Sequence, residues 1–250
     1  ENSFCAYVRD PIVNLVTCAL IVLGGLGYIV WWDLLRVAQE KKPRAPFWRR
    51  LTLQSKLAVF MTLFLILTGA AGFYFFERNN PLTIGEFSVP QKLQAALFQS
   101  VTTRTAGFAT IAQQNLTNAS AILSLLLMFI GGSPVGTAGG IKTVTVAVLA
   151  ATAFSVVRGR NDVNLYHRRL SEQAIRKAVA VSVISFLIAF LSTLSLAVVT
   201  DAPVLDILFE TVSATATVGL SRNLTATLNG IGKTIIIITM YLGRVGPISL

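Results

Sequence analysis

Long apolar runs divided by short basic or polar stretches organise this chain. The first run goes from Pro11 to about Leu35 and the second from about Leu53 to Phe76. Both are long enough to cross a hydrocarbon core, which needs about 20 helical residues. The polar stretch Glu77-Arg78-Asn79-Asn80-Pro81 closes the second run. A short amphipathic segment from Lys92 to Thr103 comes next. It is too short to span about 30 Å at about 1.5 Å per residue. It runs into Arg104-Thr105-Ala106-Gly107-Phe108, which is no helix interior. A third apolar run extends from about Ala119 to Val157 and a fourth from about Ala174 to Thr200. A second short segment, Pro203 to Ala216, ends at Thr217-Val218-Gly219-Leu220, and a last run starts near Gly232.

The order span, span, short helix, loop is met twice, so the pattern predicts an all-α membrane protein with an internal repeat. Phe98-Gln99-Ser100-Val101-Thr102 before the first loop echoes Phe209-Glu210-Thr211-Val212-Ser213 before the second. Downstream, Gly107 to Gly131 and Gly219 to Gly243 are both 24 positions apart. On this division, residues 1–51 hold the last span of a preceding unit and a basic loop. Residues 52–172 form a complete unit and 173–250 a final, truncated one. Counting back from Leu23-Gly24-Gly25-Leu26-Gly27 places a third such loop at or just upstream of Glu1.

Composition agrees with a lipid environment: 54% of residues are hydrophobic, 13% are charged, and the mean hydropathy is +0.68. The net charge of +10 is concentrated rather than spread. Seven cations lie from Arg36 to Lys56 and six from Arg158 to Lys177, in the stretches that join apolar runs. That is the pattern of cytoplasmic loops, not of a nucleic-acid surface. Cys5 and Cys18 match no metal or disulfide spacing, and no Ser/His, paired-carboxylate or His/Cys cluster suggests an enzyme.

A half-membrane helix followed by a Thr/Ala/Val-Gly loop and a full span suits a cation selectivity filter. A dehydrating cation has to be met by backbone carbonyls, and glycine permits the φ values that aim them at one axis. The candidates are Thr105, Ala106 and Gly107 in one loop and Thr217, Val218 and Gly219 in the other. The short helices aim their partly negative C-terminal ends at the same place. The run from Ala119 to Val157 has 39 residues, too many for one helical crossing. Gly131-Gly132-Ser133-Pro134-Val135-Gly136-Thr137-Ala138-Gly139-Gly140 breaks it, as a gate or as a device for close helix packing. Arg244 is a charge inside an apolar span, where it faces water or a partner.

Phe98 to Phe108, Gly131 to Lys142, Phe209 to Leu220 and Gly243-Arg244-Val245-Gly246-Pro247 together resemble the Trk/Ktr/HKT superfamily of potassium transporters. The Arg-Thr-Ala-Gly-Phe form and Asp10-Pro11 are most similar to its bacterial KtrB branch. The stretch Ser133-Pro134-Val135 departs from the small residues that relatives carry there. The resemblance implies M1–P-loop–M2 repeats, as in potassium channels, around a central pore in the plasma membrane. It implies potassium as the ion held by the backbone of Gly107 and Gly219, with sodium as a second ion. It also implies a homodimer and a cytoplasmic nucleotide-binding regulatory ring (KtrA-like). The alternative from another class is a secondary carrier with broken helices that binds an organic substrate at the midplane.

Overall fold

In a computed structural model, residues 3–40, 46–136, 138–160, 162–166 and 168–245 are described. Among the described residues the fold is helical apart from one two-stranded ribbon, and the hydrophobic pattern predicts a helical fold. In chain order the helices are α1 (Pro11–Gly25), α2 (Tyr28–Gln39), α3 (Phe47–Arg50), α4 (Leu53–Glu77), α5 (Val89–Thr102), α6 (Asn118–Phe129), α7 (Thr143–Val157), α8 (Glu172–Val199), α9 (Val204–Thr215), α10 (Leu224–Thr227) and α11 (Gly230–Val245).

Helix starts follow from local chemistry. Asp10 caps α1, its carboxylate accepting the amides of Ile12 and Val13, with Pro11 in the first turn. Thr52, Thr117 and Ser171 cap α4, α6 and α8 through their hydroxyls. Gln91 reaches back to the Ser88 amide at the start of α5.

The 25-residue α4 and the 28-residue α8 are each long and apolar enough to cross a bilayer. The chain is an integral membrane protein of the all-α class. Much of α8 is uncovered, with Val183, Phe186, Phe190, Leu191 and Leu194 exposed, as a lipid-facing surface requires. The span expected from Pro11 to Leu35 is not one helix: α1 and α2 meet at 90°. The reason lies at Gly27, whose φ of +78° suits glycine and where a Cβ would come within 2.5 Å of the Pro134 carbonyl oxygen. The long run does break as expected, into α6 and α7. The second basic stretch contains an unexpected antiparallel pair, β1 (Asn164–Leu165) with β2 (Arg168–Arg169).

The two short helices occupy the interior. Phe98 and Gln99 of α5 and Phe209 of α9 are fully buried. Helix α5 lies close against α4, where the Ser100 hydroxyl donates to the Ile66 carbonyl at 2.8 Å and a Cβ at Gly69 would overlap Ser100. Helix α9 is held to α8 by Thr211 and Thr193 at 2.7 Å, and α8 to α11 by Thr239 donating to Ser192 at 2.8 Å. Small residues and hydroxyls at helix contacts are the expected adhesive where lipid offers no hydrophobic drive between helices.

The placement of cations predicts that the basic stretches face the cytoplasm. Cysteine placed at Asn80 or Asn118 should then react with an impermeant thiol reagent on intact cells, and cysteine at Arg160 only after permeabilisation. The opposite labelling pattern would invert the fold in the membrane.

Candidate functional site

At the end of α5 the chain stops being helical while still buried. The amides of Ala106 and Gly107 turn back to the Thr102 carbonyl at 3.1 and 3.4 Å. At the end of α9, Val218 donates to the Ser213 carbonyl at 2.8 Å and Gly219 to the Ser213 hydroxyl at 3.1 Å. In both loops a left-handed threonine is followed by a left-handed glycine two residues on. The φ values are 65° at Thr105, 80° at Gly107, 53° at Thr217 and 94° at Gly219. Alternating handedness sends successive amides to one side of the chain and carbonyls to the other. Here the amides of Ala106, Gly107, Val218 and Gly219 are spent on the preceding helix. Among the described residues, none of the six carbonyls of Thr105, Ala106, Gly107, Thr217, Val218 and Gly219 accepts a hydrogen bond.

The two loops meet. A Cβ at Gly107 would overlap the Val218 carbonyl oxygen and lie 3.3 Å from the Cα of Gly219. A Cβ at Gly219 would lie 3.8 Å from the Cα of Gly107.

The broken segment lies against the second loop. A Cβ at Gly139 would overlap Thr217 Oγ1 and the Ala216 carbonyl. The segment has its own bonds: Ile141 donates to the Phe129 carbonyl at 3.1 Å, Thr143 to that of Gly132 at 3.0 Å, and Ser133 to that of Gly25 at 3.0 Å. The Lys142 ammonium donates to the Ala138 carbonyl. Gly131 packs on Gly139, Gly132 on Ala138, and Gly136 beside Gly25. Pro134 meets Gly27, and Val135 and Gly140 are left-handed. Thr137 lies outside the described residues, as do Gly246 and Pro247.

A cavity of about 430 Å³ opens beneath the second loop, lined among others by Gly139, Gly140, Lys142, Thr215, Ala216 and Arg244. Arg244 therefore shares a space with the broken segment. Gly243 beside it lets α11 approach the end of α9, since a Cβ there would be 2.8 Å from the Thr215 carbonyl carbon.

Several polar anchors around the loops are not evident from sequence. Gln99 and Gln113 exchange two buried hydrogen bonds, at 2.7 and 3.1 Å. In the other half Glu210 accepts from Ser221 and, at 2.7 Å, from Thr225. Gln99 and Glu210 each follow the phenylalanine of the echoed segment, and a polar residue there in an otherwise buried face was the available signal. Arg222 joins the halves, pairing with Asp206 at 2.6 Å and donating to the Gln113 carbonyl at 3.0 Å. Glu77 accepts from Asn80, Thr83 and both donors of Thr117, fixing the end of α4 to the start of α6.

A sequence model described as TrkH, cation transport protein, matches residues 1–250. The chain belongs to the TrkH family of cation transport proteins. Among its relatives, the Ktr system potassium uptake protein B of Bacillus subtilis is 38% identical over 99% of this chain and 54% of its own length. The protein of that name from Vibrio alginolyticus is 34% identical over 100% of this chain and 54% of its own. The potassium/sodium uptake protein NtpJ of Enterococcus hirae is 36% identical over 98% and 53%. The chain thus spans about half the length of the curated relatives it matches. The crystal structure of the potassium transporter TrkH from Vibrio parahaemolyticus superposes with a TM-score of 0.75 at 16% identity, over 98% of this chain and 52% of that one. It shares the fold.

The glutamine pair gives a direct test of how the first loop is held. Gln99→Leu leaves the Gln113 side-chain oxygen buried without its donor, while Gln113 Nε2 still donates to the Ile111 carbonyl at 2.7 Å; this should cost about 1–3 kcal/mol and lower the thermal midpoint of the purified protein. Changing both to leucine removes the orphaned oxygen but also the donor to the Ile111 carbonyl, so it should recover part of that loss. A double variant as unstable as the single one would mean that the pair does not anchor the loop.

Proposed function

We propose that this chain forms part of a potassium-uptake pore in the plasma membrane, in which backbone carbonyls of Thr105–Gly107 and Thr217–Gly219 replace the ion's hydration shell. The observation that carries this reading is the contact between two loops of the same alternating handedness, with their amides bonded backwards and six carbonyls without donors. Residues 52–172 and 173–250 are read as successive M1–P-loop–M2 units around one axis, with residues 1–51 closing an earlier unit. The names of the relatives, potassium uptake and potassium/sodium uptake proteins, support potassium as the main ion and sodium as a second. "Ktr system" in two of those names supports a multi-component assembly. The partners proposed are a second copy of the protein and a KtrA-like cytoplasmic nucleotide-binding ring.

Gly131 to Gly140, with Arg244, are proposed as the gate. A fixed guanidinium about 4 Å from a passing cation opposes it by about 4 kcal/mol at an effective dielectric near 20. Passage then requires the segment and Arg244 to separate. The carrier alternative calls for inverted halves, whereas both loops here follow the C-terminal end of a short helix and meet side by side.

A side chain at either glycine obstructs the ion path and strains a left-handed residue. Gly107→Ser and Gly219→Ser in the full-length protein should reduce discrimination of potassium over sodium at least tenfold, or abolish uptake in a potassium-uptake-deficient strain. Unchanged affinity and selectivity in both variants would falsify the filter assignment.

Arg244→Gln should raise unregulated rubidium flux in proteoliposomes severalfold if the charge is a barrier. Were the residue only an anchor between helices, flux and thermal midpoint would both fall.

A further inference from the structure

The first loop carries a buried charge that the second lacks. Arg104, immediately before Thr105, is only 7% exposed. Its Nη1 donates to the Thr62 carbonyl at 3.5 Å and its Nη2 to the Thr62 hydroxyl at 3.2 Å, while Nε is buried without an acceptor. No ion pair among the described residues includes it. A cation buried in this way, bound only to one neutral residue, is costly. The shape of the backbone does not require it. Before Thr217 the corresponding residue is Ala216, yet the same left-handed threonine and glycine follow. Arg104 also lines a cavity of about 250 Å³ together with Thr105 and Ala106, and no other charged residue is among its described lining residues.

Resting on the reading of these loops as an ion path, we propose that Arg104 sets ion affinity: its unneutralised charge stands behind the Thr105–Gly107 wall and loosens the hold of that wall on a cation. It touches no ion and acts through its field, which a buried, low-dielectric setting leaves largely unscreened. A pore has to bind its ion well enough to admit it and weakly enough to release it. Carbonyls backed by helix C-terminal ends push towards tight binding, and the charge opposes this on one side of the ring. The two loops are therefore unequal in strength.

The test uses full-length protein in proteoliposomes and rubidium as the probe. Arg104→Met removes the charge while keeping length and apolar contact. It should lower the KM for rubidium about tenfold, the effect of a unit charge about 12 Å from the ion at an effective dielectric near 20, and slow the maximal rate. Arg104→Lys should keep both within about twofold. Half-maximal protection against heat should likewise need about tenfold less rubidium in Arg104→Met. If that variant does not fold, Arg104→Gln, which can still bond Thr62, carries the same expectation. A folded neutral variant with an unchanged or higher KM overturns the proposal. So does a parallel loss of stability and affinity in the lysine and methionine variants, which marks a structural role. The glycine substitutions keep the two ideas apart: normal selectivity in both would remove the filter reading, whereas a unique failure of the Arg104 variants would remove only this one.

Discussion

A peptide amide inside the hydrocarbon layer has to be bonded within the protein, and the arrangement around α5 and α9 follows from that rule. A chain that leaves a helix at membrane depth releases amides and carbonyls together. Here the amides fold back onto the helix end just left, on the Thr102 carbonyl in one half and on the carbonyl and hydroxyl of Ser213 in the other. That disposes of the donors and leaves the acceptors on the opposite side. The unpaired acceptors thus come from backbone geometry, and the side chains around them serve to hold that geometry. This explains why so many buried polar residues cluster on the short helices, among them Gln99, Thr102, Glu210, Thr211 and Ser213.

Holding strained loops requires ties to several elements. In each half a polar side chain one residue after a buried phenylalanine grips the chain leaving the loop: Gln99 grips Gln113, and Glu210 grips Ser221 and Thr225. The partners differ, amide with amide in one case and carboxylate with hydroxyls in the other, but each satisfies a group that would be expensive to bury alone. Arg222 adds a link from one half to the other, so neither loop is positioned solely by its own helices.

The sequence revealed features that depend on spacing and on chain breakers. The short segments Lys92–Thr103 and Pro203–Ala216 correspond to α5 and α9 within a few residues, because glycine-containing loops mark their ends, although α5 already starts at Val89. The break between α6 and α7 was legible because no bilayer accommodates that run as one helix. Other features depended on tertiary contact. The 90° turn between α1 and α2 lies within an uninterrupted apolar run, and only the neighbouring Pro134 carbonyl explains why Gly27 is needed there. Left-handed threonines at 105 and 217 run against their own preference, so local propensity gave no sign of them. The partners of Gln99 and Arg222 are likewise set by folding, since each reaches a loop that sequence distance does not single out.

The elbow at Gly27 has a mechanical meaning. Gly25 accepts the Ser133 amide, and Gly27 touches the Pro134 carbonyl, so the broken segment is fastened to the corner where α1 turns into α2. Helix α2 leads towards the first basic stretch, and Asp33 on it receives both the amide and the hydroxyl of Thr52, the cap of α4. The elbow thus links the broken segment on one side, through Gly25 and Gly27, to the start of α4 on the other, through Asp33.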